Sequence, residues 1–483
     1  MQLSDKTLWR TQAFIDGQWV GADSGTTRKV TNPANGEVIA EVANCGTAET
    51  RRAIEAAERA QLEWRGLSAK QRGHYLRILF ELMMQHQEDL ARIMTLEQGK
   101  PLAESRGEVA YGANFLEWFA EEAKRVYGDT IPAPGEDKRI VVVKEPVGVV
   151  GAITPWNFPN AMLTRKIGPA LAAGCTIVCK PANATPLSAL AIGELVQRAG
   201  IPPGVVNILA GKTAEIGAEI TSNPIVRKLT FTGSTEVGKQ LIQECAGTVK
   251  RTSMELGGNA PFIVFDDADL DAAVVGAMAS KYRNAGQTCV CANRLLVQDA
   301  VFDAFAEKLA AAVAELKVGD GFDEGVTIGP LIDEAAAQTV FAMIDDARQQ
   351  GANVLVGGRA GANGGSYVEP TVLTDVTPNM RVFREEIFGP VAPLIRFADE
   401  AQAIQLANDT EFGLAAYFYA RDMGRIWRVA EGLDYGIVGI NEGGISNEMA
   451  PFGGMKESGS GREGSKYGMD EYLEMKYLCM GGI

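Results

Sequence analysis

The segment KYRNAGQTCVCANR, residues 281 to 294, places two of the chain's seven cysteines one residue apart, with an arginine on either side. A thiol in such a segment can be a nucleophile, a metal ligand, half of a disulfide, or a small buried hydrophobe. The histidines narrow the choice. The chain has only two, His74 and His86. Both fall in GHYLRILFELMMQHQEDLARIM, where apolar residues recur at helical spacing, and both read as helix-surface side chains. Serine–histidine chemistry, cysteine–histidine chemistry and histidine-bound zinc are therefore poorly supported. A nucleophile here is expected to be a cysteine, and a general base a carboxylate. Two thiolates without further clustered ligands make half a metal site, so no metal is expected.

Four short segments add polar groups of the required types. TPWNFP (154–159) carries Asn157 ahead of a proline expected to start a helix. KPANATP (180–186) follows a strand of buried character. MELGG (254–258) ends a short apolar run with Glu255. GQTC (286–289) puts Cys289 just after an expected helix. Each alone has a plain explanation: a turn asparagine, a strand-end lysine, a surface glutamate, a buried cysteine. Taken with EEIFGPV (385–391) and PFGGMKESGSGREG (451–464), they resemble the aldehyde dehydrogenase superfamily over essentially the whole chain. Within it the chain is most similar to succinate-semialdehyde dehydrogenases, with glutarate-semialdehyde dehydrogenases as near neighbours.

The resemblance implies roles for particular residues. Cys289 as a thiolate forms a tetrahedral adduct with the aldehyde. The Asn157 side-chain amide and the Cys289 backbone amide hold the oxyanion. Hydride leaves for a nicotinamide cofactor, and the remaining thioester is hydrolysed by water that Glu255 activates. Arg165, Arg283 and Ser446 match positions that bind the substrate carboxylate in succinate-semialdehyde dehydrogenases. A guanidinium grips a carboxylate through two parallel hydrogen bonds. The plain reading of either arginine is a solvated helix face or a surface ion pair. For the cofactor, Lys180 and Glu386 match ribose-binding positions and Phe388 packs beside the nicotinamide. Ser234, after Gly233, meets the pyrophosphate, and Trp156, Asn157 and Leu256 line the path. Asn183 stands where many NAD-preferring relatives carry a glutamate that would repel a 2′-phosphate. NADP use, alone or beside NAD, is expected. Cys291 is a packing residue or a redox partner; in an extended segment its side chain would share a face with that of Cys289. Cys45, Cys175, Cys179, Cys245 and Cys479 read as small core residues.

Two other classes stay open. Coenzyme A-acylating relatives pass the thioester to a thiol and commonly lack the hydrolytic glutamate, so Glu255 favours water. A non-catalytic protein on the same fold would not need the reactive residues that are all present.

The elements that must position these groups follow from local pattern. Residues 8–43 read as short strands and turns, and about 47 to 127 as helices. Ser68 and Gln71 form a capping box; Gly99 and Pro101 are a stop. From RIVVVKEPVGVVGAITP onward, strands alternate with helices at 186–199, 213–222, 235–246 and 269–285, the mark of parallel βαβ units. A second alternating block spans about 295 to 445. No G-x-G-x-x-G is present; FTGSTEVG, with Gly233 and Ser234 between a strand and a helix, is the nearest phosphate-binding feature. The expected fold is α/β, the aldehyde dehydrogenase fold. It has a Rossmann-like cofactor domain (1–122 and 144–254), an α/β catalytic domain (255–446) and a small β oligomerisation extension (123–143 and 447–483). RIVVVKE and YLEMKYLCM are candidates for a dimer-forming strand pair, giving a homodimer or homotetramer.

The 483 residues are too many for one core. A formal net charge of −15 argues against nucleic acid, which needs a basic face. No apolar run is long enough for a bilayer and the start has no apolar signal segment, so a reducing, cytoplasmic setting is expected.

Overall fold

In the computed structural model, which describes residues 2–483, the helical pattern after Ser68 is realised as two helices. Ser68 and Gln71 exchange side-chain-to-backbone bonds and open Ala69–Gln85. The chain bends at His86, and Gln87–Gln98 runs to Gly99, whose φ of 92° ends it. Leu76, Leu79, Met83, Leu90 and Met94 line the buried face. The long helix Leu102–Glu122 packs on this pair and on the helix Ala161–Ala173.

Five parallel strands form the centre of an eight-stranded sheet. In spatial order they are Val206–Ile208, Thr176–Lys180, Val149–Ile153, Val226–Thr232 and Arg251–Glu255. The chain builds outward from Val149–Ile153 to one side and then returns to the other. At that reversal the loops after neighbouring strands diverge and leave a crevice at their carboxyl ends. The carboxyl ends of these strands lead into Lys180 and Asn183, Trp156 and Asn157, Gly233 and Ser234, and Leu256. A second, seven-stranded sheet is parallel except at one edge. Its order is Asn353–Val356, Thr371–Thr374, Val391–Phe397, Ala292–Gln298, Ala260–Val264, Ala415–Tyr419 and Ile437–Ile440. Cys289 precedes Ala292–Gln298, and Phe388 precedes Val391–Phe397. The amino-end loops of the second sheet thus join the carboxyl-end loops of the first.

Leu473–Gly481, Lys138–Pro146 and Asp129–Ile131 make a separate antiparallel sheet. Met475, Tyr477, Leu478 and Met480 are exposed on it. Cys479 is exposed there too, so it is not the core residue expected. The division expected at 143/144 falls inside the strand Lys138–Pro146. The segment after 447 also does more than extend outward. Its strand Gly459–Ser460 pairs with Arg251–Glu255 at the edge of the first sheet.

Candidate active site

A cavity of about 300 Å³ lies where the two sets of loops meet. Trp156, Asn157, Arg165, Gly233, Ser234, Leu256, Arg283, Cys289, Glu386, Phe388 and Ser446, all singled out from sequence, line it. Tyr111, Thr288 and Phe452 line it as well.

The loop before Cys289 departs from expectation. The helix ends at Lys281, not 285. Asn284 and Ala285 then take left-handed conformations, φ 53° and 54°, which non-glycine residues adopt only when neighbours impose them. The neighbours are visible. Gln98 donates to Asn284 Oδ1 at 3.0 Å, and Asn284 Nδ2 donates to the carbonyls of Asn157 at 3.0 Å and Gln287 at 3.2 Å. Gly286 follows at φ 75°, where a Cβ would stand 2.2 Å from the Gly389 carbonyl oxygen. Residues 288–291 form a turn closed by the Cys291 amide on the Thr288 carbonyl, 2.9 Å. The segment is therefore not extended, and the two thiols diverge. Cys289 faces the cavity, while Cys291 donates to the Lys281 carbonyl at 3.2 Å and is buried. Tyr417 Oη holds the turn through the Val290 carbonyl, 2.6 Å.

The two arginines flanking this segment have opposite fates. Arg294 is buried and gives its donors to the carbonyls of Asn259, Leu406 and Ala407 and to the Tyr435 hydroxyl. It ties loops together. Arg283 is exposed, sits over the Phe158 ring at 5.2 Å, and makes no ion pair among the described residues. Arg165 lies about one turn into its helix, which begins at Ala161 and not at Pro159. Its guanidinium is stacked between Phe115 and Phe452, 5.0 and 4.2 Å from the ring centres. Nε is 2.7 Å from Glu463 Oε2, and Nη2 has no protein partner.

Glu463 is the charged residue sequence reading missed. Its other oxygen lies 2.6 Å from Lys166 Nζ, the next residue after Arg165. It reaches the site because the Gly459–Ser460 strand pairs beside Glu255. Glu255 is buried, and neither of its carboxylate oxygens has a protein hydrogen-bond partner. Burial, and then the Glu463 charge, push the Glu255 carboxyl well above the usual carboxylate range. Burial also acts on Glu463, but Lys166 and Arg165 outweigh it and hold it below that range. The two carboxyls are thus pushed in opposite directions by their surroundings. Burial pushes the Cys289 thiol up to about 12, with Glu386 adding to it and Arg165 opposing. The thiol is therefore protonated at rest and needs a base to become a nucleophile.

The crevice fits a dinucleotide. Ser234 precedes the helix Thr235–Ala246, yet its hydroxyl makes no capping bond, leaving it and the first amides free for a phosphate. Trp156 and Phe388 meet edge to face at 5.6 Å and 85°, and Phe388 is held at φ 51°. Glu386 Oε1 accepts from the Gly258 amide at 3.1 Å, and burial pushes its carboxyl up to about 7. Lys180 and Asn183 stand outside the cavity, at the end of the neighbouring strand. Burial holds the Lys180 ammonium down at about 8, and Arg28 adds to this. Asn183 bonds Thr213 Oγ1 at 3.0 Å and the Gly211 amide at 3.3 Å; no carboxylate occupies its place. Among the described residues, no group of three or more His, Cys, Asp or Glu side chains is placed to hold a metal, and no helix is long and apolar enough to cross a membrane.

A crevice at the strand reversal joined to a half-buried cysteine and a buried amide and carboxylate defines an oxidoreductase acting on aldehydes. The profile of the aldehyde dehydrogenase family matches residues 19–478, and the chain belongs to that family. It is 65% identical to a glutarate-semialdehyde dehydrogenase of Pseudomonas aeruginosa, covering 100% of both chains. It is 63% identical to a succinate-semialdehyde dehydrogenase [NADP(+)] of Escherichia coli, again over 100% of each. The crystal structure of succinate-semialdehyde dehydrogenase from Burkholderia pseudomallei superposes with a TM-score of 0.99 at 61% identity, covering 100% of both chains.

Proposed function

We propose that the protein oxidises succinate semialdehyde to succinate with NADP or NAD. The observation that carries this is the pair of guanidinium groups on the wall of the cavity that Cys289 enters, Arg283 without an ion-pair partner and Arg165 with Nη2 open. An aldehyde with a carboxylate at its far end is the substrate class that such a wall orients toward the thiol. The names of the Escherichia coli and Burkholderia relatives support it. Glutarate semialdehyde is the second reading, supported by the Pseudomonas relative. The missing carboxylate at Asn183, with Lys180 nearby, supports NADP.

In this reading, Cys289 gives its proton to the ionised Glu255 carboxylate, which passes it on to solvent before hydrolysis, and attacks the carbonyl carbon, and the Asn157 amide and Cys289 backbone N–H receive the oxyanion. Asn157 Nδ2 now rests on the Gln287 carbonyl at 3.0 Å, so it must exchange that partner for the oxyanion. Ser234, Glu386 and Phe388 would hold a nicotinamide cofactor, which would supply the acceptor for the hydride that leaves the tetrahedral carbon. Glu255 then takes a proton from the water that attacks the thioester, and the cysteine leaves as thiolate. Burial of Glu255 away from any hydrogen-bond partner suits a base that must hold and release a proton.

We assign the cofactor-binding part to 1–122 and 147–254 and the catalytic part to 255–446, the strand Lys138–Pro146 going with the small antiparallel sheet. The exposed apolar strand Leu473–Gly481 supports a homodimer or homotetramer, and seven unpaired cysteines support a cytoplasmic setting. The test is steady-state kinetics on succinate semialdehyde, glutarate semialdehyde and butanal with each cofactor. Equal kcat/KM for butanal and the semialdehydes would end the carboxylate reading.

A further inference from the structure

The helix Leu102–Glu122 contributes one side chain to the cavity wall, Tyr111. Its hydroxyl is buried and has no protein hydrogen-bond partner. A buried hydroxyl left unpaired costs stability unless something else pairs it. The ring is firmly placed. It meets the edge of Phe115 at 5.2 Å and 76°, and it packs on the small cluster of Phe158, Ala161 and Met162. Those two supports are the same rings that carry the site's guanidiniums. Phe115 lies under Arg165, and Phe158 lies under Arg283. Tyr111 therefore packs on the rings beneath both cations and lines the cavity that they line as well.

We infer that the Tyr111 hydroxyl is a further donor to the distal carboxylate of the substrate, beside Arg165, Arg283 and Ser446, and a specificity-determining residue. This deepens the semialdehyde reading and rests on it. Arg165 Nε lies 2.7 Å from Glu463 Oε2 as an ion pair and its Nη1 donates to Met162 Sδ at 3.7 Å, so Nη2 is the nitrogen left for a carboxylate and the full fork is not available for a bidentate grip. A carboxylate with two oxygens and about four lone-pair sites has room for a phenol beside the remaining guanidinium donors. The phenol also works against the wrong substrate. An uncharged aldehyde fills the same space and leaves the buried hydroxyl unpaired, which a site built for hydrogen bonding disfavours.

The experiment compares Tyr111→Phe, which removes only the oxygen, with Arg283→Ala in parallel. The readouts are kcat/KM for succinate semialdehyde and for butanal, and the inhibition constant of succinate as product. For Tyr111→Phe, the ratio of kcat/KM for semialdehyde over butanal should fall about 10- to 100-fold, mostly through KM, and succinate should inhibit correspondingly less. A purely structural tyrosine would lower both substrates together and leave the ratio unchanged; that result overturns the inference. If Arg283→Ala lowers the ratio and Tyr111→Phe does not, the tyrosine assignment fails while the carboxylate reading stands. If neither variant moves it, both fail.

Discussion

Asn284 Nδ2 donates to the backbone carbonyl of Asn157 over 3.0 Å, joining the loop that leads to Cys289 to the loop that carries Asn157. With Asn157 Nδ2 on the Gln287 carbonyl at 3.0 Å, this bond ties the two loops together. Asn284→Ala removes this bond and those to Gln98 and Gln287, and leaves alanine at a left-handed φ of 53°. The expected cost is about 1–3 kcal/mol for orphaned buried partners and about 1–2 kcal/mol for the backbone. The denaturation midpoint should fall, and kcat with it. A variant that matches the parent in both would show the bond to be idle.

Cys289→Ala should abolish turnover, because Cys291 points to the Lys281 carbonyl and cannot replace it. Glu255→Gln should form the thioester but slow its hydrolysis by about 10²–10⁴-fold, seen as a burst of reduced cofactor followed by a slow phase. Asn157→Ala should cost about 10²–10³-fold in kcat. Ordinary turnover in Cys289→Ala would refute the mechanism.

Hydrolysis should depend on pH through Glu255. It is a base only when ionised, and burial together with Glu463 raises its carboxyl. The rate therefore falls as pH drops through that raised value. Glu463→Gln removes the neighbouring anion and leaves Arg165 and Lys166 to favour the Glu255 carboxylate, so the acid limb should move to lower pH. Breaking this buried ion network should also destabilise the protein, by about 3–5 kcal/mol. Single-turnover hydrolysis from about pH 5 to 9 checks the direction; an unmoved limb would mean the two carboxylates act independently.

Asn183→Glu should shift preference toward NAD, because a carboxylate there faces the 2′-phosphate. The quantity to compare is the ratio of kcat/KM for the two cofactors. If the substitution leaves that ratio where it was, Asn183 does not contact the adenosine ribose.

The local pattern carried much of this protein. Capping at Ser68, the stop at Gly99 and the helices at 213–222 and 235–246 were legible because each depends on residues adjacent in the chain. The scarcity of histidine, two in the chain, left a thiol and a carboxylate as the expected reactive groups, and the family resemblance implied the roles of Cys289, Glu255 and Asn157. The tertiary structure decided what lies next to them. Asn284 and Ala285 leave the helical region that their sequence continues, because Gln98, Asn157 and Gln287 hold them from other elements. Glu463 enters the site from 208 residues beyond Glu255 (463 minus 255) through a two-residue strand pairing, a link with no local signal. Arg165, Arg283 and Arg294 are alike in sequence; only packing made one paired and stacked, one free, and one a buried tie between loops. Tyr111 was silent for the same reason. On its own helix it is one apolar residue in a buried stripe, and its hydroxyl gains meaning only where the supports of two guanidiniums converge.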